Sequence, residues 1–510
     1  VSHWVVAPIV LPAMMAAAMV LVMRHHLRLQ RTFSVVSVSF LVAIALGQAL
    51  QAAGGAITVY DLGDWPAPFG IVLVADRLST LMVLLTSLLA LAVMLYTIGS
   101  GWDRRGRHFH PLFQFQLMGI CGAFLTGDAF NLFVFFEVLL IASYGLMIHA
   151  GGTSRLRAGV QYVAYNLLGS TLFLFALGTI YAVTGTLNMA DIAERVAALP
   201  EGDTALIRVG ATLLLMVFAV KAAVLPLHFW LPASYAEAPA PVAALFAIMT
   251  KVGAYAIIRM YTLAFPTDLA VIQGHFGTIL MPAALLTLAV GMVGVLGAAR
   301  LERLAAFSVI GSMGTLLVAI ALFTHDATVA ALYYMIHSTL ATAALFLIVD
   351  LVSRGRGADG CPVVSAPPLP NNLLIAGLFF GAGIAMAGMP PLSGFIGKLL
   401  VMDAARASEL VWWIWGVILV TSLIAIVGFA RAGSTIFWKT VPVSDAVVAM
   451  SSEDRPFERQ AALPLVAVGA ILLALVLTTV LAGPLTDYLR ATADQLYAPE
   501  AYIGAVLGGE

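Results

Sequence analysis

The sequence predicts an all-α, polytopic membrane protein of about fourteen transmembrane helices, and three observations carry that prediction. Of the 510 residues, 62% are hydrophobic and only 10% charged, whereas soluble domains carry about 25% charged residues. Apolar stretches of the roughly 20 residues needed to cross a bilayer recur along the whole chain. These stretches are continuous and rich in Ala, Leu, Gly and Val, unlike the ~10-residue alternating segments of a membrane β-barrel. The composition excludes a water-soluble enzyme or a nucleic-acid binder.

Taken in order, the apolar stretches span residues 4–23, 33–53, 71–99, 112–127, 129–150, 160–185, 206–230, 240–265, 270–298, 303–323, 328–352, 371–403, 411–437 and 462–489. A basic run, Arg24 to Arg31, follows the first stretch. A cleaved signal peptide carries its positive charge ahead of the apolar region, so the first stretch is expected to be a retained helix. The loops after spans 1, 3, 5, 9, 11 and 13 hold sixteen Lys and Arg, and the opposite side holds five. That poorer side is acidic, with Asp61, Asp64, Asp191, Glu194, Glu201, Asp203, Asp268 and Asp326. Basic residues are enriched on the cytoplasmic side, which places both termini outside. The longest connection, 438–461, reads as a polar cytoplasmic loop. Four units are expected: spans 1–3 over 1–110, spans 4–8 over 111–266, spans 9–13 over 267–440, and loop, last span and tail over 441–510.

With the basic residues near span ends counted to the adjoining loops, four of the 25 remain inside spans: Lys221, Lys251, Arg259 and Lys398. A charge at mid-bilayer costs about 2.5–3.5 kcal/mol on insertion scales, so these residues need partners or water. Glu137, in the run Phe130 to Leu140, is their acidic counterpart. Desolvation disfavours the charged form of each group and an approaching opposite charge favours it, so each sets the protonation of the other. A permanent buried pair is one reading of such residues, but three lysines and one glutamate cannot all neutralise one another pairwise. At least some are expected to titrate. Arg259, eight residues beyond Lys251, reads as a structural residue snorkelling to the outer interface.

Two spans are interrupted in corresponding ways. In the seventh, Pro226 follows Lys221 by five residues and Pro232 comes later. In the twelfth, Gly388-Met389-Pro390-Pro391-Leu392-Ser393-Gly394 precedes Lys398. Proline breaks a helix and frees a carbonyl, which the membrane tolerates only where protein or water covers the gap. Broken helices with an ionisable group at matching places in two halves point to an ion pathway. The two spans differ by five, and an odd offset reverses direction, giving an inverted repeat of spans 4–8 against 9–13. Two unrelated proline kinks are the competing reading.

His337, in the eleventh span, could relay protons or only donate a hydrogen bond between helices. His228, two residues past Pro226, is a possible further relay. No second well-placed pair of intramembrane histidines exists to hold haem. The two cysteines, Cys121 and Cys361, exclude a disulfide framework or a four-thiolate centre built from this chain alone. No cluster of carboxylates and carbonyls stands out as a sodium cage, and no catalytic residue, metal site or resident cofactor is expected.

The stretch Asn131 to Tyr144, the broken helix from Lys221 to Pro232, and Met389 to Lys398 resemble the antiporter-like subunits shared by Mrp-type cation/proton antiporters and respiratory complex I. The resemblance covers nearly the whole chain, and the phenylalanine-rich glutamate helix and the length are most similar to the D subunits of Mrp antiporters. It implies that Glu137, Lys221, Lys251 and Lys398 are the ionisable residues of spans 5, 7, 8 and 12. Lysine in span 12 argues against the complex I member that has glutamate there, and the short stretch after span 14 argues against members with extra C-terminal helices. The resemblance further implies transport of H+ and Na+, a plasma-membrane location and a hetero-oligomer with other Mrp subunits. The expected mechanism moves protons along Glu137, Lys221, Lys251 and Lys398, assisted by His337. The rival is the proton-pumping membrane arm of a quinone- or hydrogen-linked oxidoreductase, and a purely structural scaffold would leave the lysines unexplained.

Overall fold

The computed structural model describes residues 3–200, 202, 204–272, 275–357, 360–441 and 461–508. The expected polar loop, with Asp445, Glu453, Asp454, Arg455, Glu458 and Arg459, lies almost wholly outside the described residues. All fourteen predicted spans fall on helix. The chain opens with α1 (Ala7–Leu21), α2 (Leu27–Ala53), a hairpin of β1 (Thr58–Asp61) and β2 (Val72–Ala75), and α3 (Arg77–Ser100). Then follow α4 (Phe109–Leu125), α5 (Ala129–Met147), α6 (Thr153–Thr184), α7 (Met189–Ala197), α8 (Ala205–Lys221), α9 (Trp230–Glu237), α10 (Ala240–Phe246) and α11 (Met249–Leu263). The second half holds α12 (His275–Gly297), α13 (Leu301–Ala321), α14 (His325–Gly355), α15 (Asn372–Ala387), α16 (Ser393–Ala404) and α17 (Val411–Gly433). The chain closes with α18 (Ala462–Val480), α19 (Ala482–Leu496) and α20 (Glu500–Leu507). Among the described residues, ten helical segments, with α10 and α11 taken together as one, are long and apolar enough to cross a membrane, and α1, α4 and α15 are shorter apolar ones.

Burial sorts these helices. Every residue of α11 is buried, and α13 and α14 are buried almost throughout. A helix apolar around its whole circumference belongs in the centre of the bundle. At the periphery, Leu167, Leu174 and Phe175 of α6 and Trp412, Trp413 and Leu423 of α17 are exposed, as suits surfaces that face lipid tails.

Three local departures from the predicted elements have identifiable causes. The third span does not begin at residue 71, because 72–75 pair as a strand with 58–61. Asp76 then caps the helix, its carboxylate accepting from Ser79 N at 2.8 Å while Ser79 Oγ accepts from Asp76 N at 2.9 Å. Such a capping box satisfies orphan N–H groups and fixes where the helix starts. The last span is not one helix over 462–489. It divides at Leu481, and Pro484, which has no N–H, sits in the first turn of α19. The eighth span breaks between α10 and α11 without proline or glycine. The Phe246 carbonyl left free there accepts from the Tyr235 hydroxyl at 3.1 Å. No residue type in that stretch signals the break.

Asp128, in the turn between α4 and α5, caps α5 by accepting from Asn131 N at 2.7 Å. Burial pushes its carboxyl up to about 6, against the opposing pull of the Asn131 and Phe130 N–H groups. The folded state therefore holds this proton more tightly than the unfolded chain. Its contribution to stability is complete below pH ~4 and lost as pH rises through about 6. Asp128→Asn keeps a capping oxygen and is expected to remove that slope, on the order of 2 kcal/mol, in unfolding midpoints measured between pH 4 and 7.

Candidate functional site

The interruption in the seventh span separates α8 from α9 across residues 222–229, and that in the twelfth separates α15 from α16 across 388–392. Beside each break a buried lysine donates to one backbone carbonyl and one serine hydroxyl. Lys221 is the last residue of α8 and is buried. Its Nζ donates to the Asn166 carbonyl at 3.3 Å and to Ser170 Oγ at 3.4 Å, both on α6. Ser170 Oγ in turn donates to Glu137 Oε1 on α5. Glu137 and Lys221 are thus joined through a serine hydroxyl, and no direct ion pair links them. Lys221 Nζ also lies 5.8 Å from the centre of the Phe136 ring, within cation–π range.

Lys398 on α16 is bound more fully. Its Nζ donates to the Ala387 carbonyl at 2.9 Å and to Ser422 Oγ of α17 at 2.8 Å. Ala387 ends α15, so the ammonium sits at the negative end of a helix dipole. Gly388, with φ +78°, turns the chain there, and an added Cβ would lie 2.6 Å from Lys398 Cδ. Gly388→Ala combines a left-handed backbone with that clash. It is expected to cost about 1–3 kcal/mol, read as a lowered thermal midpoint, and to displace Lys398 from the Ala387 carbonyl.

Between these two lysines in the chain come Lys251 and His337. Lys251, on α11, is completely buried and its Nζ has no hydrogen-bond partner among the described residues. His337 Nδ1 lies 2.8 Å from Ser393 Oγ, at the start of α16. Gly394 is required by the same approach, because a Cβ there would meet the Ala385 carbonyl and, at 2.9 Å, the His337 ring. The break at Pro390 and Pro391 therefore puts a hydroxyl on His337 as well as freeing a carbonyl for Lys398. His228 lies in the gap after Pro226, buried, with Nδ1 unpartnered among the described residues.

Arg259 does not snorkel. It is 3% exposed, and Nη1 and Nη2 donate to Asp76 Oδ2 and Oδ1 at 2.6 and 2.8 Å. The guanidinium also lies 5.6 Å from the Tyr255 ring centre and 5.2 Å from that of Tyr502. This pair ties α11 to the start of α3 and to α20. Nothing in the residue order marks Asp76, Asn166, Ser170, Ser393 and Ser422 as partners. Small polar residues in apolar helices gave a signal only as candidates for interhelical hydrogen bonds, without saying to what. Among the described residues no group of His, Cys, Asp and Glu could hold a metal ion.

Buried lysines at helix breaks, one of them joined through a serine to Glu137 in the middle of α5, in a many-spanning bundle define an antiporter-type ion-translocating membrane protein. Residues 126–425 match the family described as NADH:quinone oxidoreductase/Mrp antiporter, TM, and the chain belongs to that family. It is 40% identical to the D subunit of a probable K+/H+ antiporter of Rhizobium meliloti, over 99% of this chain and 98% of that one. The D subunit of a Na+/H+ antiporter of Alkalihalophilus pseudofirmus is 37% identical, with 99% of each chain covered. Among solved structures, a chain of the Mrp complex from Dietzia sp. matches with a TM-score of 0.89 at 26% identity, covering 100% of both chains. A chain of an archaeal membrane-bound sulfane sulfur reductase matches in fold, with a TM-score of 0.88 at 24% identity and 99% of each covered.

Proposed function

We propose that this chain is the proton-translocating subunit of a multisubunit Na+/H+ antiporter, acting as a transporter rather than a redox enzyme. Protons move along Glu137, Lys221, Lys251 and Lys398, with His337 assisting and His228 a possible relay at the break. The observation that carries this reading is the contrast between the lysines. Lys221 and Lys398 each rest on a carbonyl and a serine hydroxyl, whereas Lys251 Nζ has no partner among the described residues. A lone buried ammonium is costly, so Lys251 holds a proton only transiently and passes it to a neighbouring neutral amine. Closing Glu137 onto Lys221 would hold that lysine charged, and reopening through Ser170 would release its proton. Exchange for a cation bound elsewhere in the complex is then linked to this charge state.

The relatives named as D subunits of antiporters support a hetero-oligomer with other antiporter subunits in the plasma membrane. The excess of basic residues supports both termini outside, with the loops at Arg24 to Arg31 and at Arg104 to Arg107 facing the cytoplasm. The name of the Rhizobium relative makes potassium the second reading for the cation. The test is proton flux in vesicles holding the whole complex. Sodium added against a pH gradient is expected to collapse it, and the purified complex to show no flavin or iron–sulfur absorbance. Collapse by potassium alone would change the cation. Redox chromophores with no cation-driven flux would replace the antiporter with the pumping arm of an oxidoreductase.

A further inference from the structure

On the side of the bundle that carries most of the arginines, the loop between α1 and α2 meets the loop between α3 and α4. Together they enclose a cavity of 240 Å³ whose lining includes Arg24, His25, Gln30, Arg104, Arg107 and His108. The Arg24, Arg104 and Arg107 side chains are exposed and have no carboxylate partner among the described residues. They differ in this from Arg31 and Arg354, which pair with Asp103 and Asp350. The acid in the cavity wall, Asp103, is already engaged. Arg31 donates to both its oxygens, at 2.6 and 2.7 Å, and His110 Nε2 stands 3.0 Å away. Although burial pushes the Asp103 carboxyl upward, the hydrogen bonds from His110 and Arg31 hold it below the usual carboxylate range. Its charge is spent inside the protein, leaving three exposed arginines in the lining that no described carboxylate pairs with. The rim is apolar. Leu21 and Val22, just before Arg24, are 82% and 75% exposed, and Leu29 and Phe33 on α2 are exposed as well.

We propose that this cavity is a binding site for the phosphate headgroup of an anionic phospholipid, with the acyl chains lying over Leu21, Val22, Leu29 and Phe33. Guanidinium groups bind phosphate oxygens through paired, charge-assisted hydrogen bonds. A basic pocket between transmembrane helices with adjacent apolar surface fits a lipid phosphate better than a free ion. Gln30 shapes the floor by donating from Nε2 to the Met23 carbonyl at 2.8 Å and the Arg24 carbonyl at 3.4 Å. This arrangement sets the loop that presents Arg24. The lipid would clamp the loop between the first two helices to the loop that feeds α4, at the junction of spans 1–3 with the first repeat. Assignment to the inner leaflet rests on the orientation proposed above, whereas the phosphate chemistry does not.

Native mass spectrometry of the purified, delipidated complex titrated with dioleoylphosphatidylglycerol or dioleoylphosphatidylcholine tests this. The glycerol lipid is expected to bind in preference to the choline lipid. The triple variant Arg24→Gln, Arg104→Gln, Arg107→Gln is expected to lose about 100-fold in affinity, at roughly fivefold per surface charge. The corresponding triple lysine variant keeps the charge but not the paired hydrogen bonds and is expected to bind between the wild type and the glutamine variant, and all three side chains are exposed, so an unchanged thermal midpoint checks the fold. Equal binding of phosphatidylglycerol by wild type and the glutamine variant, or equal binding of the two lipids, would overturn the site. Displacement of phosphatidylglycerol by inorganic phosphate at equal concentration would overturn the lipid assignment. Failure of cation exchange in the same complex would bear only on the proposed function.

Discussion

Lys221→Ala is expected to lower cation-driven proton exchange by about 100-fold or more, the range that loss of a positioned proton-transfer group produces, while the complex still assembles. The assembly expectation follows from what Lys221 touches. Its ammonium meets one carbonyl and one serine hydroxyl on α6, and the helix around it is held by apolar burial. Glu137→Ala is expected to have the same effect on exchange, since it removes the carboxylate joined to Lys221 through Ser170. Ser170→Ala separates two roles that the lysine and glutamate variants cannot. A direct Glu137–Lys221 pair formed during turnover would survive it with modest loss, whereas an obligatory hydroxyl bridge would not. Initial rates of pH-gradient collapse, normalised to assembled complex, measure all three. Full exchange in either the Lys221 or the Glu137 variant would reject the proton axis.

The second large effect is on stability. Asp76→Ala and Arg259→Ala are each expected to destabilise the fold by about 3–5 kcal/mol, because each leaves an uncompensated charge inside the protein. Asp76→Ala carries an added cost of about 1 kcal/mol, since the same carboxylate caps α3 through Ser79. The double variant is expected to lose much less than the sum of the two, because removing both partners leaves no orphan charge. Denaturation in graded detergent mixtures, read as a midpoint for each variant, checks this. Additive losses would mean that the pair does not act as a unit. Arg259 lies two turns beyond Lys251 on α11, so loosening this clamp is also expected to disturb the helix that carries the central lysine.

Period and composition were enough to reveal the bundle, because a bilayer imposes its thickness on every apolar segment and admits few alternatives. The breaks at Pro226 and at Pro390 and Pro391 were legible for a similar reason: proline cannot donate the hydrogen bond that continues a helix. The break between α10 and α11 was invisible, since it depends on the Tyr235 hydroxyl reaching the Phe246 carbonyl from another helix. The residue types of the candidate site, Glu137, Lys221, Lys251, Lys398 and His337, stood out because charge is rare and expensive in apolar sequence. Their partners did not. Ser170, Ser393 and Ser422 are unremarkable in sequence and acquire meaning only from what packs opposite them.

Arg259 marks the boundary between the two kinds of knowledge. Its cost as a charge in an apolar helix is local and could be read directly, but snorkelling and pairing are equally consistent with its position in the chain. The identity of its partner, 183 residues away, is a fact about packing. Residue order alone sufficed for a many-spanning helical bundle, its two proline-broken helices and the buried charges that need explaining. It took the packed fold to establish that Glu137 meets Lys221 through Ser170, that Lys251 has no partner among the described residues, and that Asp76 neutralises Arg259. Burial is an average property that each segment carries alone, whereas hydrogen-bond and charge partnerships are set by which helices the fold brings together.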